Sequence, residues 1–223
     1  MTLGIETSGR AGSVALGTRE GEIQERILSA SGRRHARTLV PEIQTLLTEC
    51  GIRARDLDLI GVSIGPGSFT GLRVGVVCAK TLAYVTQAAV IGIDTFLAVA
   101  AGQCMAERLW VIDDPLRGDV FAGEYALENN VWRCVREPGL RPFDEWRLSL
   151  DESAIITGPG LRTFAEDLQN FHILEETQWT PRAAMIAKLA AERFEAGEKD
   201  DPWTLEPFYM RRSAAEEKAD QSN

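Results

Sequence analysis

The stretch IGPGSFTGLRVGVVCAKTLAY, from Ile64 to Tyr84, decides how this chain is read. It follows LDLIGVSIG (57–65), a nearly continuous apolar run like that of a strand buried on both faces. Gly65 and Gly67 fit backbone turns of positive φ, and Ser68 or Thr70 can cap the helix that follows. A helix start of this kind is a natural anion site, because unpaired N–H groups and the helix dipole both favour negative charge. Yet it is neither a Walker loop nor a dinucleotide fingerprint: no Lys follows the last Gly, and GxGxxG is absent. Along the predicted helix, Gly71, Gly75, Ala79 and Ala83 recur every fourth residue and leave one side nearly bare. Glycine inside a helix costs roughly 1 kcal/mol relative to alanine, so something must press closely on Gly75. A second polypeptide would do so, with Arg73, Val77, Lys80 and Tyr84 as a long-armed rim. The chain's own sheet would do so equally, and spacing alone does not separate the two.

Working outward, TLGIET (2–7) and GSVALGT (12–18) read as strands around a tight turn, and GEIQERILSA as a third. HARTLVPEIQTLLTECG places Leu39, Ile43, Leu46 and Leu47 at helical spacing, with Gly51 as the stop and Pro41 expected near the first turn. AVIGID (89–94) is a short buried strand, and Thr95 is placed to cap a helix running to about Glu107. The order β-β-β-α-β-α-β-α predicts a mixed sheet with helices packed on it. The second half begins in the same way: LWVIDD (109–114), VFAGEYAL (120–127), a third strand in VWRCVRE, then AIITGPG (154–160) and a helix near 161–170. Thr180 is expected to cap a last helix with Pro181 at its first position and Ala184, Ile186, Ala187, Leu189, Ala190 and Phe194 along its apolar side. A short echo links the halves: Glu6 precedes a turn with Arg10 and Gly12, while Asp113 and Asp114 precede one with Arg117 and Gly118.

Composition narrows the chemistry. The 223 residues are 44% hydrophobic and 26% charged, as in a soluble globular protein with a sizeable core. A formal charge of −9 repels polyanions, so the chain does not read as a stand-alone nucleic-acid binder. The basic run Arg33, Arg34 and Arg37 reads as a solvated loop. Cys50, Cys78, Cys104 and Cys134 form no CxxC pair, which speaks against structural zinc and for reduced thiols. With neither a signal peptide nor an apolar run long enough to span a bilayer, a cytoplasmic protein is expected. His35 and His172 make no metal motif, and Ser68 lacks the GxSxG setting of a triad hydrolase. Glu6 with Ser8, and Asp113 with Asp114, could hold Mg²⁺ and phosphate beside a glycine-rich turn. A lone acid beside a tight turn is more often simply solvated.

Four strings in order, LGIETSGRAGSVAL, GPGSFTGLRVGVVCAKTLAY, IGIDTFLAVA and DPLRGDVFAGEY, with LEPFYMRR near the end, resemble the TsaB (YeaZ) family. Its members are non-catalytic subunits in bacterial tRNA threonylcarbamoyladenosine synthesis. The resemblance implies an α/β, actin-like ATPase fold of two ribonuclease-H-like lobes, the second reduced. The expected divisions are 1–107, 108–212 and a loose tail at 213–223. It also implies pairing through the helices near 36–50 and 69–86, at Leu39, Ile43, Gly71, Arg73, Gly75, Val76, Ala79, Lys80 and Ala83. The implied partners are the catalytic paralogue TsaD, the ATPase TsaE, a second copy when alone, and tRNA indirectly through the complex. TsaD moves a threonylcarbamoyl group to the N6 amine of the adenosine beside the anticodon. It is expected to carry a His-x-x-x-His metal motif, whereas here Leu39 stands four residues after His35 and Glu176 four after His172. The family more often has Asp where this chain has Glu6. No catalytic residue, resident cofactor or metal is therefore expected of this chain alone, with ATP or ADP and Mg²⁺ placed at a joint interface. The alternative is a Mg-dependent ATPase or phosphotransferase built on Glu6, Asp113 and Asp114. A peptidase finds no nucleophile–base pair or metal set in the sequence.

Overall fold

The computed structural model describes residues 1–18, 21–28, 35–103 and 106–210, with the backbone alone for His35. Arg33, Arg34, Cys104 and the expected tail at 213–223 lie outside the described residues. Two sheets of five strands carry the fold. In the first, β1 (Thr2–Glu6), β2 (Ser13–Gly17), β3 (Ile23–Ile27), β4 (Leu59–Gly65) and β5 (Ala89–Asp94) lie in the order β3-β2-β1-β4-β5. In the second, β6 (Arg108–Asp113), β7 (Asp119–Glu128), β8 (Val131–Pro142), β9 (Ile155–Thr157) and β10 (His172–Ile173) lie in the order β10-β9-β6-β7-β8. Reading β6 to β10 against β1 to β5, the two orders are the same. In both, the first three strands form an antiparallel meander and the fourth and fifth join it in parallel. The short sequence echo is the visible trace of a duplicated unit.

Six α-helices cover the described sheets: α1 (His35–Glu49), α2 (Phe69–Thr86), α3 (Thr95–Ala101), α4 (Phe143–Leu148), α5 (Leu161–Phe164) and α6 (Ala183–Glu195). β4 is buried along almost its whole length, as its unbroken apolar run demands. Leu39, Ile43, Leu46 and Leu47 of α1 and Val76, Ala79 and Ala83 of α2 close one core over Leu3, Ile5, Ile60 and Val62 of the first sheet. Pro41 departs from expectation, because α1 begins at His35 and the proline lies well inside it. The residue is exposed, where water can take the carbonyl that its ring leaves unpaired. Gly51, at φ +68°, follows α1 as the predicted stop. Cys50 and Cys78 are half-buried free thiols, whereas Cys134 is exposed rather than in the core.

The helices that end each half change sheets. α3 follows β5 of the first sheet, yet its Phe96, Val99 and Ala100 pack with Leu109, Val111, Phe121 and Tyr125 of the second. α6 follows the second sheet, yet its Ile186 and Ala190 pack with Leu59, Ile91 and Ile93 of the first. The segment 108–212 therefore does not stay with the second lobe throughout. α6 and the chain from Asp200 to Phe208 return to the first, where Asp200 bridges Val90 and Phe208 N donates to Ile64 O at 2.6 Å. Two expected caps also differ. Asp94, not Thr95, caps α3, accepting Phe96 N at 2.8 Å, and α3 ends at Ala101 rather than near Glu107. α6 starts two residues after Pro181. Its first amides go to distant side chains: Ala183 N to Ser13 Oγ at 2.9 Å and Ala184 N to Glu25 Oε1 at 3.2 Å. Phe194 stands exposed instead of joining the apolar side of that helix.

Candidate functional site

α2 presents two unlike faces. Ser68 caps it through a bond from Gly71 N to its Oγ at 3.3 Å, and the bare stripe turns inward. A Cβ on Gly71 would lie 2.0 Å from Thr7 O, and one on Gly75 would lie 2.2 Å from Thr7 Oγ1. Thr7 Oγ1 donates to Gly71 O at 2.8 Å, so the turn after β1 is bonded directly to the helix backbone. Ala79 and Ala83 continue the stripe into the core. The expectation that a second polypeptide presses on Gly71, Gly75, Ala79 and Ala83 is therefore corrected: the protein's own Thr7 turn and sheet already fill that space. Val76, Leu39 and Ile43 are buried in the same core and face inward too. Close packing against the chain's own backbone offsets the helical cost of glycine.

The other face of α2 is open. Val77, Tyr84 and Val85 are 62%, 63% and 72% exposed, and Arg73 is exposed beside them. α1 lies alongside and adds exposed Val40. The C-terminal segment borders this surface. Lys80 Nζ donates to Leu205 O at 3.0 Å and to Trp203 O at 3.4 Å. Trp203, itself 75% exposed, meets Tyr84 edge to face at 5.8 Å between ring centroids. Arg73 lies over the Phe69 ring at 4.0 Å and donates from Nε to Tyr209 Oη at 2.9 Å. Of the residues expected at a partner surface, the structure leaves Arg73 outward and Lys80 half-buried as a tether. Sequence spacing missed Val85, Trp203 and Tyr209. The exposed positions 77, 81, 84 and 85 trace the opposite side of the same helical period, a signal the sequence did contain.

The acids occupy two corners, one at the carboxyl end of each central strand pair, where open α/β sheets hold ligands. At the first, Glu6 is fully buried and Oε1 accepts both Ser8 N and Ser8 Oγ at 2.5 Å. Burial pushes its carboxyl above the ordinary range, against the opposing pull of the Ser8 bond. The turn Gly65-Pro66-Gly67 closes this corner, with Ser68 N donating to Ser8 O at 2.7 Å. At the second, burial pushes Asp113 up to about 6, while Asp114 N donates to Asp113 Oδ1 at 2.9 Å. Asp114 accepts Leu116 N at 2.7 Å and Thr163 Oγ1 at 2.8 Å. The turn Gly158-Pro159-Gly160 closes it, with Gly160 N donating to Ile112 O at 3.0 Å. The repeated Gly-Pro-Gly was present in the sequence and is the second half of the internal echo. The structure thus unites Glu6 with Ser8 and Asp113 with Asp114, but not the two pairs. Among the described residues no three His, Cys, Asp or Glu side chains gather as a metal set. Nor, among those residues, is any helix long and apolar enough to cross a membrane.

Comparison with known proteins agrees with this layout. The family model for TsaD, tRNA N6-adenosine threonylcarbamoyltransferase, matches residues 29–219. The tRNA threonylcarbamoyladenosine biosynthesis protein TsaB of Escherichia coli K12 is 28% identical over 222 residues, covering 96% of this chain and 95% of that protein. The TsaB of Bacillus subtilis 168 is 28% identical over 225 residues, covering 97% and 96%. Among solved structures, YeaZ from Pseudomonas aeruginosa superposes with a TM-score of 0.81 at 26% identity, covering 93% of this chain and 98% of that one. A protein described as similar to peptidase YeaZ gives 0.82 at 25% identity, covering 94% and 99%. Two sheets of one topology that exchange their last helices, and these matches along nearly the whole chain, lead to one assignment. The chain belongs to the TsaD family, on its TsaB/YeaZ branch, and has the actin-like fold of two ribonuclease-H-like lobes.

Proposed function

We propose that this chain serves tRNA threonylcarbamoyladenosine biosynthesis as a non-catalytic subunit that docks a TsaD-type catalytic subunit on the outward face of α1 and α2. The observation that carries this reading is the exposed set Val77, Tyr84 and Val85 on a helix whose inward side is already filled. Aromatic and aliphatic anchors beside an arginine are what a partner surface uses. The interface buries on the order of 1,600 Å² in total. A second copy takes the same face when the catalytic subunit is absent, TsaE engages the assembled pair, and tRNA is met through the complex. Nucleotide and Mg²⁺ belong to the joint interface rather than to this chain alone. Binding favours one conformation of the partner over another and so supports its activity.

The test is co-purification with the TsaD of the same organism, followed by a tRNA modification assay. Val77→Glu abolishes the complex and the modification while circular dichroism and melting stay as in the native chain. Loss of a central anchor costs about 2 kcal/mol or more of binding. An undiminished complex in both Val77→Glu and Tyr84→Ala refutes the reading.

A second reading, a Mg-dependent ATPase or phosphotransferase, draws on the two matched acid corners. It predicts that the isolated chain binds ATP with Mg²⁺ and that Asp113→Asn removes the binding. Calorimetry with no heat from ATP and Mg²⁺ excludes it.

A further inference from the structure

The chain changes sheets at Asp94. β5 ends there in the first sheet, and α3 begins at the next residue and packs on the second. Asp94 Oδ1 accepts Phe96 N at 2.8 Å, which fixes the start of the crossing helix. Its Oδ2 accepts the hydroxyl of Tyr125 at 2.5 Å. Tyr125 belongs to β7 of the second sheet and is wholly buried. One carboxylate therefore grips the last residue of one sheet, the helix that leaves it, and the middle of the other sheet. Thr95 adds a tie to the first sheet, since its Oγ1 accepts Gly65 N at 3.1 Å. The return crossing at α6 differs: its Arg182–Glu25 ion pair has a 62% exposed arginine side chain and reaches only into the first sheet.

We propose that the Asp94–Tyr125 hydrogen bond is a hinge pin that fixes the angle between the two sheets. Where α3 meets α6, which is itself tied to the first sheet, the contact is apolar and involves small residues, Ala98 against Ile186 and Ala190. Such surfaces slide past one another by small shear without losing much contact. A hydrogen bond is directional and does not tolerate that slide. Breaking it deprives a largely buried carboxylate oxygen of its hydroxyl donor, so the pinned angle dominates. Glu137 and Cys134 of β8 also face the pair, and Glu137 adds like charge. Burial pushes Asp94 up to about 6, so at pH 7.5 it is the ionised acceptor, and Tyr125 is held protonated as the donor.

The experiment uses the full chain with spin labels on p-acetylphenylalanine at Thr48 of α1 and at Leu148 of α4, both exposed. Pulsed electron paramagnetic resonance reads the distance between the lobes at pH 7.5. The native chain gives one narrow distribution. Tyr125→Phe broadens it and shifts its mean, with unchanged circular dichroism, and Phe96 N–H exchanges about tenfold faster, as loss of a bond to a charged group implies. Asp94→Asn, which still accepts Phe96 N and can donate to the Tyr125 oxygen, keeps the narrow distribution. Thr163→Val, which removes a bond within the second lobe, leaves it unchanged. A folded Tyr125→Phe with the native distribution overturns the proposal. If Tyr125→Phe does not fold, native-state exchange decides: a Phe96 amide as labile as a frayed helix end overturns it, and one among the slowest amides supports it.

Discussion

The two lobes share a topology and differ in their helices. α1 and α2 of the first run to 15 and 18 residues. Their counterparts α4 and α5 run to 6 and 4. The second sheet nevertheless closes a core, with Phe143 stacked on Phe164 at 4.2 Å between centroids and Trp146 against Trp110 at 5.8 Å. Short helices carrying large aromatic side chains are enough to cover a sheet of this kind. The length of α1 and α2 thus exceeds what covering requires, and the excess appears as an outward face. The duplicated unit thus keeps long helices in one copy and short ones in the other, and the long pair carries the face proposed above for docking.

The comparison can be broken most forcefully at Gly75. The first lobe brings the Thr7 turn onto the backbone of the long α2, where the second lobe has one α-helical turn followed by a 3-10 turn. Gly75→Leu drives a side chain into Thr7 and Val62, neither a flexible end that could swing away. Chemical denaturation should show a loss of more than about 4 kcal/mol, or no folded protein at all. A folded, stable Gly75→Leu would mean that α2 can lift off its sheet and that the inward stripe is not what holds it.

The acid corners differ less, and pH sharpens the difference. Glu6 in the first lobe is fully buried, and Asp113 in the second keeps some contact with solvent. Both carboxyls are raised by burial, Asp113 from 3.8 to about 6. A group raised in the folded state binds its proton more tightly there than in the unfolded chain. Its stabilising effect is complete below pH 3.8 and lost as pH rises through about 6. Asp94 shifts over the same window, so both acids contribute to the fall. Glu6 is raised in the same direction, so Asp113→Asn should remove only its own share of that decline, about 2 kcal/mol between pH 4 and pH 7 by denaturant titration. An unaltered pH profile would show that Asp113 titrates as an ordinary surface acid.

Periodicity made most of the elements legible. The unbroken run before Gly65 and the four-residue spacing of α1 and α2 are local signals, and the first lobe follows from them. What failed was non-local. The apolar sides of α3 and α6 are plain in the sequence, but nothing in them says which sheet each covers. The start of α6 was read from Thr180 and Pro181, whereas Ser13 and Glu25 take its amides from across the molecule. α4 was missed because six residues hold less than two helical turns, too few to display a period. The glycine stripe was legible as a close contact but not as a contact with the chain itself. At the corners, Glu6, Ser8, Asp113 and Asp114 were identified, while the repeated Gly-Pro-Gly that closes each one was not.

The smallest effect concerns how the outward face of α2 is bordered. Lys80 holds the carbonyls of Trp203 and Leu205. In the second lobe the corresponding segment is shorter, one α-helical turn at Leu161–Phe164 followed by a 3-10 turn at Ala165–Leu168. Lys80→Met keeps the apolar stem and removes the donor, at a cost of about 1 kcal/mol. The segment from Asp200 to Phe208 remains anchored at both ends, by the Asp200 Oδ2 bond from Gly92 N at 2.7 Å and the bond from Phe208 N to Ile64 O at 2.6 Å. Global unfolding should therefore barely move, while amides near Leu205 exchange faster and Trp203 fluorescence shifts as the ring leaves Tyr84. If exchange there is unchanged, the terminal anchors alone hold the segment, and Lys80 is free to reach a partner instead.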